Sequence, residues 1–159
     1  MIERSLVIIK PDGVERSIVG EITKRFENSG LKIVAMKMVW IDKKFADKHY
    51  KAHKTKPFYK DLVEFITEGP VVAFVLEGVH AVDNVRRLVG STSPYEAAPG
   101  TIRGDFAHIS MEYASKKGSG GKNVIHASAN KKDAAEEIKL WFTKKEIHTY
   151  TTVHEKHVF

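Results

Sequence analysis

The sequence predicts an α+β fold: a ferredoxin-like, four-stranded antiparallel sheet with helices packed on one face. Two observations carry this. Short β-branched apolar runs alternate with helical apolar stripes in the order β-α-β-(short helices)-β-α-β-α. The joins between them hold Gly, Pro and Asp, so the pattern divides into two βαβ-type halves with hairpin-like connections. At 159 residues the chain is read as one domain, 1–159, large enough to bury a single core.

The elements follow in order. Ser5-Leu-Val-Ile-Ile9 reads as a buried strand that stops at the turn Lys10-Pro11-Asp12-Gly13. Val19, Ile22 and Phe26 then mark a helix face, and Gly30 stands at the C-terminal cap. Leu31 to Ile41 is a second strand, Asp42 caps a short helix through His49-Tyr50, and Pro57 opens a helix that reaches Thr67. Val71 to Leu76 is a third strand, and Val82, Val85, Leu88 and Val89 form a helix closed by Gly90. Gly90 to Gly104 holds three glycines, two prolines and four Ser/Thr, so it reads as a long loop of the kind that is often functional. Asp105 to Met111 is the candidate fourth strand. Glu112 to Lys122 reads as a flexible insertion, low in complexity over its second half. Asn130 and Asp133 cap a last helix carrying Ala135, Ile138 and Phe142.

Composition narrows the function classes. Apolar residues make up 42% and charged residues 29%, as in ordinary soluble domains. The absence of cysteine excludes disulfides, thiolate zinc sites and cysteine nucleophiles. The longest apolar run, Val71 to Leu76, is too short to span a bilayer, and no secretory apolar segment opens the chain, so a cytoplasmic location and no membrane partner are expected. A net charge of +6 favours anionic partners such as phosphates, nucleotides or nucleic acid.

Three constellations carry chemistry. In Asn123-Val-Ile-His126-Ala-Ser128 a histidine leaves an apolar run among small residues just ahead of a helix, with Glu137 on that helix placed to orient the ring. This is either a nucleophile at a strand end or a packed core histidine. Arg86, Arg87, Thr92, Ser93 and Arg103 surround the glycine-rich loop, which is either a polyphosphate cradle or a solvated basic loop. Lys10-Pro-Asp-Gly13 sets a lysine at a strand end, or is simply a turn. A Walker loop is excluded because Asn123 follows Lys122 where Ser or Thr is required. His49 and His53, four apart, read as a surface pair.

Taken together, the ordered motifs resemble the nucleoside diphosphate kinase family. They are Lys10-Pro-Asp-Gly-Val, Gly20-Glu-Ile, His49-Tyr50, Pro57-Phe58, Gly69-Pro70-Val-Val-Ala, Pro99-Gly-Thr-Ile-Arg103-Gly-Asp-Phe106, Asn123-x-x-His126-Ala-Ser128 and Glu137-Ile-x-Leu-Trp-Phe142. The resemblance spans nearly the whole chain. It implies γ-phosphoryl transfer from a nucleoside triphosphate to a nucleoside diphosphate by a ping-pong route through a phosphohistidine. It makes His126 the nucleophile, with Glu137 holding its ring and Ser128 supporting the pair. Lys10, Tyr50, Arg86, Thr92 and Arg103 then surround the phosphates, Lys10 and Asn123 reach the ribose, and Phe58 stacks on the base without reading its edges. Mg2+ rides on the nucleotide phosphates, with no protein metal ligands, and the chain is a homo-oligomer, a hexamer by resemblance. Two departures stand out. Ala129 replaces the family's usual Asp, and the insertion near 112–122 is roughly ten residues longer than the common spacing.

Two other readings are distinguishable. A nucleic-acid-binding module of the same topology would need the aromatic strand pattern that stacks bases, which is missing, so nucleic acid is not a required partner. A nucleotide-binding regulator without catalysis would have no use for His126.

Overall fold

The computed structural model describes residues 1–118, 121–153 and 155–158. Its elements are β1 (Ile2–Ile9), α1 (Pro11–Glu15), α2 (Val19–Asn28), β2 (Lys32–Val39), α3 (Lys43–His49), α4 (Tyr59–Thr67), β3 (Val71–Val79), α5 (Ala81–Val89), α6 (Ile102–Phe106), α7 (Met111–Lys116), β4 (Ile125–Ala127), α8 (Lys131–Trp141) and α9 (Glu155–Val158). The strands form one sheet in the order β2-β3-β1-β4. Every pairing is antiparallel, with Ile9 opposite Val72, Ile8 opposite His126, and Lys32 opposite Glu77. This is the expected ferredoxin-like sheet.

The helices, however, cover both faces rather than one. Leu6, Ile8, Ala73 and Val75 pack with Val63 and Ile66 of α4 and with Trp141 of α8. Val7, Ile9, Phe74 and Leu76 point the other way, onto Ile22 and Phe26 of α2 and Val85 and Val89 of α5. The sequence carries the reason. Leu6 to Ile9 are all fully buried and show no alternation, whereas a strand with one wet face alternates apolar and polar residues.

Local chemistry sets the helix ends. Asp42 accepts the Phe45 N–H and Asn130 accepts the Asp133 N–H, as the capping pattern predicts. Gly90 closes α5 at φ 86°, a conformation that favours glycine. On α8 the fully packed positions are Ala134 and Trp141 rather than Ala135.

Two expectations are corrected. Asp105 to Met111 holds no strand: Thr101 accepts the Gly104 N–H and starts helix α6, which runs to Phe106. The fourth strand is instead the three-residue β4, which ends the sheet beside β1. In the 112–122 segment, Met111–Lys116 is helical rather than structureless. Ser110 caps it, Glu112 and Lys116 pair at 2.6 Å, and Ala114 is buried. Residues 119–120 of that segment lie outside the described residues.

Candidate active site

β4 carries His126 directly opposite Ile8, so its side chain lies on the face covered by α3, α4 and α8. The approach to β4 is forced. Val124 has φ 71°, and the Ile125 N–H returns to the Asn123 carbonyl at 2.8 Å, which closes a γ-turn of the rarer, strained form. That turn is held from the Lys10-Pro-Asp-Gly13 corner. The Lys10 N–H donates to the Val124 carbonyl at 2.8 Å, and Asp12 Oδ2 accepts the Val124 N–H at 3.0 Å. A side chain at position 13 would meet Ile9 Cγ2 at 2.7 Å, so glycine is required there for close packing.

His126 Nε2 lies 2.9 Å from Glu137 Oε1, and Ser128 Oγ donates to Glu137 Oε2 at 2.6 Å. Ser128 is fully buried and also accepts the Leu6 N–H, which ties the pair to β1. Burial pushes the Glu137 carboxyl upward, but the hydrogen bond and charge of His126 and the Ser128 hydroxyl outweigh it, so Glu137 stays below the usual carboxylate range. A carboxylate accepting at Nε2 puts the ring proton there and leaves the Nδ1 lone pair for chemistry.

In front of His126 opens a cavity of about 480 Å3, lined by Lys10, Tyr50, Phe58, Arg86, Thr92, Arg103 and Asn123, all seven of the expected nucleotide contacts. Glu137 and Ser128 stand behind His126 and do not line it. Lys10 Nζ donates to Asn123 Oδ1 at 2.7 Å and to the Gly121 carbonyl at 3.0 Å. Burial, helped by the Arg103 charge and opposed by Asp12, pushes the Lys10 ammonium down to about 7. Asn123 spends its other amide end on the Thr92 carbonyl at 2.9 Å. Tyr50 is buried with its hydroxyl unpartnered among the described residues, and burial followed by the Glu137 charge raises its pKa, so it stays a neutral donor.

Arg103 lines the cavity and also braces it. Its guanidinium donates to the carbonyls of Gly90, Ser91, Asn123 and Ile125, which leaves one of its five N–H groups for a ligand. Burial and then the nearby Arg86 lower its pKa to about 10, so it is still a cation at neutral pH. Phe58, at the mouth, keeps 41% of its surface exposed.

The structure also brings in residues that the sequence did not assign to the site. His49 is not half of a surface pair: its ring centroid lies 4.7 Å from that of His126. His53 lines the cavity beside Phe58, with Leu62, Met111, Ala114 and Ser115. The α7 residues had no signal beyond their nearness to Asn123. Leu62 was legible only as an apolar position on the helix after Pro57.

Glu137→Gln tests the ring-orienting geometry. Loss of a charged hydrogen bond worth roughly 1.5–3 kcal/mol should slow the phosphorylation expected at His126 about ten- to hundredfold and leave nucleotide affinity close to the parent's. Rapid-quench kinetics reads both. A change confined to KM would remove Glu137 from the catalytic step.

Comparisons with known proteins bear on this geometry. The family model described as nucleoside diphosphate kinase matches residues 3–147. A nucleoside diphosphate kinase of Pyrococcus furiosus is 53% identical over 149 residues, covering 94% of this chain and 88% of that protein. One from Archaeoglobus fulgidus is 49% identical over 157 residues, covering 99% and 97%. The solved nucleoside-diphosphate kinase from Borrelia burgdorferi, a transition state mimic with bound vanadate and ADP, superposes with a TM-score of 0.95 at 44% identity, covering 99% of this chain and 96% of that one. The Halobacterium salinarum enzyme in complex with CDP gives a TM-score of 0.91 at 40% identity, covering 100% and 99%.

Proposed function

This chain belongs to the nucleoside diphosphate kinase family, and on that premise we infer that it moves the γ-phosphoryl group of a nucleoside triphosphate to a nucleoside diphosphate, with His126 as the relay. The observation that carries the assignment of His126 is its ring: Nε2 is engaged by Glu137, while the residue lines a cavity bearing Lys10, Arg86 and Arg103. In the first half-reaction the Nδ1 lone pair attacks the γ-phosphorus, the bond from phosphorus to the β,γ-bridging oxygen breaks, and the diphosphate leaves with that electron pair. Glu137 offsets the positive character that builds at Nε2–H. In the second half-reaction a terminal oxygen of the acceptor diphosphate attacks the phosphorus and the N–P bond breaks, which restores the neutral ring. Cations aimed at the transferring oxygens supply most of the stabilisation, because this chemistry needs positioning and charge more than covalent help.

Mg2+ would be carried by the nucleotide phosphates and would supply charge neutralisation there. Among the described residues the gathered metal-ligating groups are His49, His126 and Glu137, and two imidazoles suit a borderline ion better than Mg2+, which prefers oxygen. Phe58 offers a half-exposed ring for stacking, which any base satisfies. Residues 1–159 act as one catalytic domain in a cytoplasmic homo-oligomer, a hexamer by family likeness. The oligomer is supported by Met36, Met38 and Trp40, which are 52%, 60% and 68% exposed along or just after the edge strand β2. No helix among the described residues is long and apolar enough to cross a membrane.

Incubation with γ-labelled ATP tests the reading. The expected result is a protein-bound label that is acid-labile, base-stable and discharged by any nucleoside diphosphate. A protein that binds ATP but takes up no such label is not this enzyme.

Lys10 gives a pH prediction with a definite sign. Its pKa in the free site is about 7, and phosphate oxygens favour the ammonium, so binding must raise that pKa. Nucleotide binding at about pH 8 therefore takes up a proton, and the uptake fades below about pH 7, where Lys10 is already charged. Calorimetry in buffers of different ionisation enthalpy measures it, and Lys10→Gln should abolish it. Equal proton release or zero uptake at about pH 8 in the parent protein would place the phosphates away from Lys10.

A further inference from the structure

We propose that His49 is a positioning residue for the nucleophile, an edge-on imidazole that Trp141 holds in one tautomer and that fixes the plane of the His126 ring. The proposal rests on His126 being the phosphorylated residue. His49 ends α3 and does not line the nucleotide cavity, so it acts through its neighbours. Its ring lies 4.7 Å from His126 at an interplanar angle of 82°, and 5.4 Å from Trp141 at 90°. Trp141 Nε1–H donates to His49 Nδ1 at 3.2 Å. An indole N–H can only donate, so Nδ1 must accept, and the proton of the neutral imidazole sits on Nε2. That Nε2 is buried without a hydrogen-bond partner among the described residues. Burial, and after it the charges of His126, Lys10 and His53, hold the His49 pKa well below the usual histidine value. One tautomer and one charge state therefore face the nucleophile.

The need for a second contact follows from the first. A single hydrogen bond from Nε2 to Glu137 leaves the His126 ring free to tilt about that axis, and Nδ1 swings with it. A ring edge set nearly at right angles removes this freedom. Helix α8 supplies both restraints, since Glu137 and Trp141 stand one turn apart at i, i+4 and share a face. Glu137 reaches His126 directly, and Trp141 reaches it through His49. The three donor groups of His49, His126 and Glu137 lie within 4.8 Å of one another, which also invites a metal reading. A metal on His49 Nε2 would force the proton onto Nδ1, against the Trp141 N–H, so the hydrogen bond favours positioning over coordination.

Three variants of the full chain test this. His49→Ala removes the edge, His49→Phe keeps it, and Trp141→Phe deletes only the N–H. We expect His49→Ala to lower the single-turnover rate of His126 phosphorylation by about ten- to hundredfold, the scale of a small misplacement of a reacting atom, with ADP affinity within about twofold of the parent's. His49→Phe should recover most of the rate. Nitrogen-15 NMR should find His49 Nδ1 unprotonated in the parent protein, and Trp141→Phe should lose that signature and slow phosphorylation. Parent-like rates in both His49→Ala and Trp141→Phe, a loss of ADP affinity at unchanged rate, or a proton on His49 Nδ1 in the parent would each overturn the proposal. If His49→Ala does not fold, His49→Phe and Trp141→Phe decide it, because both preserve bulk. A His126→Ala control that still takes up label would instead bring down the assignment of the nucleophile, whatever the His49 variants do.

Discussion

His126→Ala should fold as the parent does, bind ADP nearly as well, and lose phosphoryl transfer by roughly six orders of magnitude, the scale set by deleting a covalent nucleophile. Among the described residues, the imidazole is the only group whose lone pair this geometry presents to the cavity from a ring already oriented by a carboxylate. Its removal leaves Ser128 bonded to Glu137, and the His126 side chain was already 22% exposed, so the packing penalty is small. Label incorporation and thermal unfolding on the same preparation separate the two effects. Turnover near the parent's would refute the nucleophile assignment. A collapse in melting temperature would mean that His126 holds the fold together.

Arg103→Ala should damage both stability and activity, and that combination is the mark of its double role. The side chain is buried and joins the carbonyls of Gly90 and Ser91 after α5 to those of Asn123 and Ile125 around the entry to β4. Each charged hydrogen bond is worth roughly 1.5–3 kcal/mol, so even partial rehydration of the carbonyls leaves a loss of about 4 kcal/mol or more. For a chain of this size that corresponds to a fall of roughly 10 °C in Tm. The loss of the cation and the loosening of β4 should together lower kcat/KM by more than Glu137→Gln does. Arg103→Lys should rescue little, because one ammonium cannot span four carbonyls on two segments. Calorimetric melting with steady-state kinetics checks the claim. Full stability in Arg103→Ala would show that the bracing bonds contribute nothing net.

Much of this architecture was legible because it obeys short-range rules. The central strands announce themselves as unbroken β-branched runs, and Asp42, Asn130, Gly30 and Gly90 mark helix ends by chemistry that needs no tertiary context. The residues that gather at the cavity were grouped beforehand by ordered motifs, whose spacing reflects the corner at Lys10 and the turn before His126. What escaped was set by long-range packing. β4 is only three residues long, too short for a period, while Asp105 to Met111 has strand-like residues but is claimed by the Thr101 cap. His49 sits four residues from His53 and so looked like a surface pair, yet its partner is Trp141, 92 positions away. Double-sided burial of β1 was readable in principle from its lack of alternation. Choosing between one covered face and two needed the placement of α3, α4 and α8.

The turn at Val124 has a consequence for anyone who would engineer this chain. A β-branched residue at φ 71° carries a conformational cost on the order of 1–3 kcal/mol, and an obvious route to a hardier protein is to install glycine there. That gain would be drawn from the wrong place. Val124 is fully buried beside Ile9, and its backbone is the hinge pin between the Lys10 corner and the strand bearing His126. Glycine would relax the turn and, with it, the aim of Asn123 on one side and His126 on the other. Durability and speed therefore compete at this position, and a programme of thermal hardening does better to work on surfaces remote from β4 and leave its most awkward residue alone.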